Sequence, residues 1–337
     1  MRGALLRRGG PVRRLLGLLS AVSLLSGVVA GCGLESGGAV PFQVGPGSIQ
    51  PVAALRGVPI TVGSKDFTEN ILLGYIAEYA LQAAGMNVRD LTDIEGSNSA
   101  RLALQQGQID MMWDYTGTAW ISYQGNTDPI ADPRAMFNAV RASDLKLGIN
   151  WIALAPFNDT YALAESQQVA QRYGVHTLSQ LAQLAKKDPS AATFCLESEF
   201  ASRNDGFPGL VKKYGMTVPQ SRIQILDTGA VYAATADAKA CNFGEIFATD
   251  ARTQSLNLTV LSDDQKFFPS YAGAVTIRKE LTDRYPQIAQ VLQPISDRLT
   301  NKQIIAMSYQ VDVLGRDWAD VAKDWMIQQG FVTNEQS

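Results

Sequence analysis

The sequence predicts an α/β protein of two lobes, on three observations. Short apolar runs alternate with amphipathic segments, that alternation occurs twice along the chain, and a purely helical stretch follows it. About 280 residues lie beyond a Gly- and Pro-rich N-terminal region, enough to bury a large core and to divide into two domains.

The first set opens with a strand over 60–62 and a helix over 68–84. In that helix Ile71, Leu72, Tyr75, Ile76, Tyr79 and Ala80 recur at spacings of three and four. A strand over 87–94, a helix over 97–106, a strand over 109–113, a helix over 132–147 and a strand over 151–155 complete it. The second set runs strand 161–164, helix 178–186, strand 193–196, helix 209–214, strand 223–226, helix 231–238 and strand 243–248. Strands over 258–261 and 274–277 follow, and helices over 281–299, 302–314 and 318–329 close the chain. Such folds bind ligands beyond the carboxyl ends of strands or between domains.

The N-terminal end has its own logic. Residues 1–14 carry five arginines and no acid, and 15–30 are apolar or small, the pattern of a secretion signal. That apolar run is short of the roughly 20 residues a membrane span needs. It ends in Val29-Ala-Gly-Cys32, a lipobox pattern in which cleavage leaves a lipidated Cys32 at the new N-terminus. An ordinary signal peptide with an incidental Cys is the alternative. Residues 32–58 then read as a flexible tether.

The chain has 29 basic against 32 acidic residues, and loss of the five signal arginines leaves 24 against 32. With no basic tract, nucleic acid is excluded as a partner. Cys195 and Cys241 remain besides Cys32; outside the cytoplasm an even pair reads as a disulfide, with two free buried thiols the alternative. His176 is the single histidine, in a polar stretch, which argues against a metal site or a catalytic triad. The chain has no P-loop, no Gly-x-Ser-x-Gly elbow and no His-Glu-x-x-His motif, so no enzyme class is indicated. Asp263 and Asp264 are adjacent and read as a turn, and Trp113 and Trp120 read as core.

Two motifs carry the chemistry. Gly63-Ser-Lys-Asp-Phe-Thr-Glu-Asn70 sets a Lys at a strand end and a Thr68 placed to cap the helix that follows. Asp114-Tyr-Thr-Gly-Thr118 sets a ring and two hydroxyls at another strand end. Together they suggest a pocket with an anion-binding side and a π-faced side. A solute with a carboxylate and a methylated ammonium needs both.

Four further motifs follow in order: Asn158-Asp-Thr-Tyr-Ala-Leu163, Glu199-Phe-Ala-Ser-Arg-Asn-Asp-Gly206, Ala248-Thr-Asp250 and Asp263-Asp-Gln-Lys-Phe-Phe-Pro-Ser-Tyr271. With these six the chain, over 58–332, resembles the substrate-binding proteins of ABC importers for glycine betaine, choline and related compatible solutes. The resemblance implies a class II periplasmic-binding-protein fold, two α/β lobes joined by two crossovers near 155–159 and 261–271. The expected division is a signal peptide over 1–31, a tether over 32–58, one lobe over 59–157 and 268–337, and a second over 158–267. It implies an aromatic cage of Tyr115, Tyr161, Phe247 and Tyr271 around the cation, with a backbone carbonyl at Asp159 facing it. It further implies Lys65, Thr118 and Arg203 as carboxylate contacts. Phe247 departs from the family pattern, which favours Tyr there.

The residue chemistry agrees with that assignment. A trimethylammonium group has no N–H to donate, but ring faces attract it at roughly 0.5–2 kcal/mol each. For a carboxylate, Arg203 offers a planar fork and Lys65 a point charge. The resulting expectation is a non-catalytic, cofactor-free monomer, lipid-anchored on the extracytoplasmic face of the membrane. It captures a quaternary ammonium solute and delivers it to an ABC permease driven by ATPase subunits. An aromatic or phenolic ligand, or a sensor role, is the alternative on the same fold.

Overall fold

Two large sheets and a two-stranded ribbon carry the residues that this computed structural model describes, 37–128 and 130–335. The signal peptide and Cys32 lie outside the described residues. In chain order the strands are β1 (Gly38–Ala39), β2 (Val44–Pro46), β3 (Pro59–Lys65), β4 (Asn87–Ile94), β5 (Met111–Tyr115), β6 (Ile149–Ile152) and β7 (Tyr161–Ser166). They continue with β8 (Phe194–Leu196), β9 (Ile223–Ile225), β10 (Phe243–Phe247), β11 (Leu258–Val260), β12 (Gly273–Arg278) and β13 (Val332–Asn334).

The first sheet has the order β1-β4-β3-β5-β12-β6, with β3 parallel to β4 and β5, and β12 antiparallel to β5 and β6. The second has the order β11-β7-β10-β8-β9, with β7 antiparallel to β10 and β11, and β8 parallel to its neighbours. Each sheet with its helices forms one lobe. The chain passes between them twice, from β6 to β7 and from β11 to β12. These crossovers lie side by side: Asn158 bridges Ala272, and the Asp159 N–H donates to the Tyr271 carbonyl at 3.2 Å.

Helix α1 (Thr68–Ala83) is apolar on nearly every side, and the fold buries it accordingly between β3, β4 and the helix Trp318–Gln328. It ends at Gly85, whose φ of +97° suits a residue without Cβ. Helix α2 (Ser97–Gln105) follows β4.

Three local expectations are corrected. The stretch expected as a tether is part of the first lobe from Gly38 onward: β1 pairs with β4, β2 pairs with β13, and Leu55 is fully buried. Edge pairing satisfies backbone groups that a tether leaves to water. The helix expected over 281–299 is two helices, Lys279–Arg284 and Gln287–Ser296, because Pro286 lacks the N–H that would continue the first. Thr68 does not cap α1: Phe67 holds the cap position, and the Thr68 hydroxyl donates to Asp312 at 2.7 Å.

Cys195 in β8 and Cys241, two residues before β10, form a disulfide across a sequence separation of 46. A loop of that length costs the unfolded chain entropy worth on the order of 2–4 kcal/mol. Reduction, or Cys195→Ser with Cys241→Ser, is therefore expected to lower the unfolding free energy by about 2–4 kcal/mol in urea titrations. An unchanged midpoint would contradict a closed bond in the folded chain.

Candidate functional site

Strand ends from both lobes face one another across the crossovers, and a cleft of about 1000 Å³ lies between them. Lys65 ends β3, Tyr115 ends β5, Tyr161 begins β7, Phe247 ends β10, and Tyr271 stands two residues before β12. Asn70 ties two of these ends together. Its side chain accepts from the Lys65 N–H at 2.7 Å and donates to the Trp113 carbonyl and the Tyr115 hydroxyl, both at 3.2 Å. All eight ligand-binding residues expected from the sequence line this one cleft: Lys65, Tyr115, Thr118, Asp159, Tyr161, Arg203, Phe247 and Tyr271.

The rings form a connected wall. Tyr161 meets Phe247 at 5.1 Å between centroids and Tyr271 at 5.2 Å, the latter edge to face at 85°. Phe67 joins the wall to Tyr115, stacking on Phe247 at 5.5 Å and tilting toward Tyr115 at 5.9 Å. Gly117 makes room for the last ring: a Cβ there would stand 2.8 Å from Tyr271 and 2.9 Å from the Ser270 carbonyl. Sequence reasoning does not single out Phe67, although it stands inside the first motif between Lys65 and α1.

The charged groups are paired within the protein. Lys65 Nζ lies 2.8 Å from Asp114 Oδ1 and 5.0 Å from the Tyr115 ring centre. Arg203 donates from Nε to Asp205 Oδ1 at 2.8 Å and from Nη2 to Asp205 Oδ2 at 2.5 Å. Its Nη2 also donates to Thr118 Oγ1 at 3.3 Å. The Nε–Nη2 edge of the guanidinium faces Asp205, and Nη1 faces Glu199 at 3.5 Å. Asp205 also accepts from Tyr271 Oη at 2.8 Å and Ser122 Oγ at 3.1 Å. Burial alone pushes the Asp205 carboxyl up, but the Arg203 guanidinium bonds and charge hold it below the usual range.

A second polar cluster backs the rings. Tyr115 Oη donates to Glu69 Oε1 at 2.7 Å. The Thr249 hydroxyl touches both Glu69 Oε2 and Asp159 Oδ1, and all three residues are buried. One hydroxyl hydrogen satisfies one of those oxygens, so the other contact requires a proton on a carboxyl group. Burial pushes Asp159 up to about 7, with Thr249 bonding and Lys65 working against it and Asp250 adding to it. Glu69 is pushed up by burial and then by the charge of Asp159. Among the described residues no group of His, Cys, Asp and Glu could hold a metal ion.

The arrangement is a cleft of a size and lining suited to holding a small solute. It offers ring faces, buried fixed dipoles and a carboxyl pair. The resemblances agree with that reading. Residues 58–328 match the family model described as the substrate binding domain of an ABC-type glycine betaine transport system. A glycine-betaine-binding protein of Pseudomonas aeruginosa is 32% identical over 283 residues, 82% of this chain and 90% of the relative. An ergothioneine transport permease/ergothioneine binding protein of Helicobacter pylori is 30% identical over 83% of this chain, which spans 49% of that longer relative. Among solved structures, apo YehZ of Escherichia coli superposes with a TM-score of 0.60 at 29% identity, over 81% of this chain and 99% of that one. A glycine betaine/carnitine/choline transporter structure has a TM-score of 0.65 at 22% identity over 81% of this chain and 99% of that one, a likeness of fold.

The carboxyl pair sets a pH dependence. Asp159 has an ordinary value of 3.8 and about 7 in the fold, so its contribution to stability is full below pH 4 and is lost as pH rises to 7. Burial pushes Glu78, Glu165 and Glu245 the same way. Urea titrations are expected to find the ligand-free chain less stable at pH 8 than at pH 5, and Asp159→Asn to lessen that drop. An equal drop in the variant would rule out the assignment.

Proposed function

The chain belongs to the family of substrate-binding domains of ABC-type glycine betaine transport systems, and we propose that its cleft captures a quaternary ammonium solute through its wall of rings. Members of this family work outside the cytoplasm with a permease and carry small solutes rather than transform them. Among the described residues no helix is long and apolar enough to cross a membrane. In this reading Cys32 carries a lipid anchor, and a monomer delivers the solute.

The observation that carries the proposal is the run Tyr115–Phe67–Phe247–Tyr161–Tyr271, five rings from two lobes against one cleft. A methylated ammonium gains roughly 0.5–2 kcal/mol per ring face, so three or four faces reach several kcal/mol. Phe247 keeps the face and lacks only the hydroxyl. Lys65, Thr118 and Arg203 hold the opposite end of the solute, and the Asp159 carbonyl faces its cation. Thr249 to Glu69, Ser97 to Glu199 and Ser122 to Asp205 bridge the lobes in the closed form that the permease recognises.

A second reading keeps the cage and enlarges the solute. It is favoured by the volume of about 1000 Å³ and by the Helicobacter relative named for ergothioneine, a betaine built on a ring. Isothermal titration with choline, glycine betaine, carnitine, ergothioneine and a planar phenol is the test. Micromolar or tighter binding of a methylated ammonium is expected; silence with all four, with the phenol bound, would overturn the cage. Phe67→Ala and Tyr161→Ala are each expected to weaken that binding roughly 2- to 30-fold, one ring's worth.

Because a bound cation favours the charged form of Asp159, choline is expected to bind several-fold more tightly at pH 8 than at pH 6. The same affinity at both values would separate Asp159 from the cation.

A further inference from the structure

The cleft is strongly acidic, and its cations are already engaged. Seven acidic side chains line it against three basic ones, Lys65, Arg203 and Arg252. Lys65 is paired with Asp114, Arg252 with Asp250 and Asp312, and Arg203 with Asp205 and Glu199. Asp114 and Asp205 have no exposed side-chain surface, so these two partners are fixed parts of the wall.

Glu199 differs from them. Its side chain is 27% exposed and reaches across from the second lobe to the first. Its Oε1 accepts from the Ser97 N–H, and its Oε2 from the Ser97 hydroxyl, both at 3.1 Å. Ser97 is the first residue of α2, where the unpaired amides of a nine-residue helix favour an anion. The same carboxylate stands 3.5 Å from Arg203 Nη1, the part of the guanidinium that Asp205 does not hold. Glu199 therefore collects the two donors that a carboxylate entering from the cleft would seek, the Ser97 amide and Nη1.

We propose that Glu199 is the protein's own occupant of the anion-binding half of the cleft, and that it makes the site prefer a quaternary ammonium alcohol over a zwitterionic betaine. This rests on the cage reading above and adds the net charge of the solute to it. A betaine must displace Glu199 or set its carboxylate beside it, and like charges at that spacing repel. A choline-type cation has no carboxylate to accommodate and is drawn to the acidic lining. Specificity arises from the repulsive element as much as from the attractive one.

Titration calorimetry of the full secreted chain with choline and with glycine betaine, at pH 8, reads this directly. The parent chain is expected to bind choline at least tenfold more tightly. Glu199→Gln keeps the size and the bond from the Ser97 N–H, reverses the one to the Ser97 hydroxyl and removes the charge, and is expected to move the choline-to-betaine ratio at least fivefold toward betaine. Equal or tighter betaine binding by the parent, or a ratio unmoved in a Glu199→Gln chain that still binds, overturns the proposal while leaving the cage intact. Binding of neither solute overturns both. Should Glu199→Gln not fold, salt dependence decides on the parent chain: choline affinity is expected to fall several-fold between 50 and 500 mM NaCl while betaine affinity holds, and parallel responses contradict the claim.

Discussion

Five rings from five separate stretches of chain meet because strand ends of two sheets are turned toward each other by a pair of neighbouring crossovers. That convergence is the constraint on which the rest depends. Gly273 lies opposite Tyr115 in the sheet, and a Cβ there would fall 2.1 Å from the Phe157 ring. Phe157 in turn packs edge-on to Tyr115 at 79°. The rings are thus held by close packing at the crossovers, where a change of one methyl group is felt.

The buried ion pairs serve the same end. Taking Lys65, Asp114, Arg203 and Asp205 out of water is costly, and such pairs contribute little net stability. What they give is orientation. Asp205 fixes the Arg203 guanidinium and the Tyr271 hydroxyl together, and Asn70 fixes the ends of β3 and β5. Glu69 and Asp159 add a proton that belongs to the pair through Thr249, and Asp159 also lines the cleft beside the rings. The ring wall therefore has beside it a carboxyl pair that shares a proton.

Much of this was legible in the sequence because polar motifs at strand ends are local signals. Lys65, Tyr115, Tyr161 and Phe247 fall at strand ends in the chain as they do in the fold. What was not legible is long-range. Gly38–Ala39 and Val44–Pro46 look like tether because their partners, Arg89–Asp90 and Val332–Asn334, are remote in sequence. Phe67 sits between a motif lysine and a helix, and only the fold reveals that its ring stacks on Phe247, 180 residues away. The engagement of Arg203 by Asp205 was written two residues along, but spacing alone does not tell a bonded pair from two solvated charges. Pro286 was a local signal that the helical periodicity around it obscured.

The central claim concerns where a methylated nitrogen sits, and a crystal structure of the chain grown with choline tests it most directly. The account requires the nitrogen within about 6 Å of the centroids of at least three of Phe67, Tyr115, Tyr161, Phe247 and Tyr271. A choline nitrogen held instead by carboxylates away from these rings, with the ring wall unchanged, would contradict it.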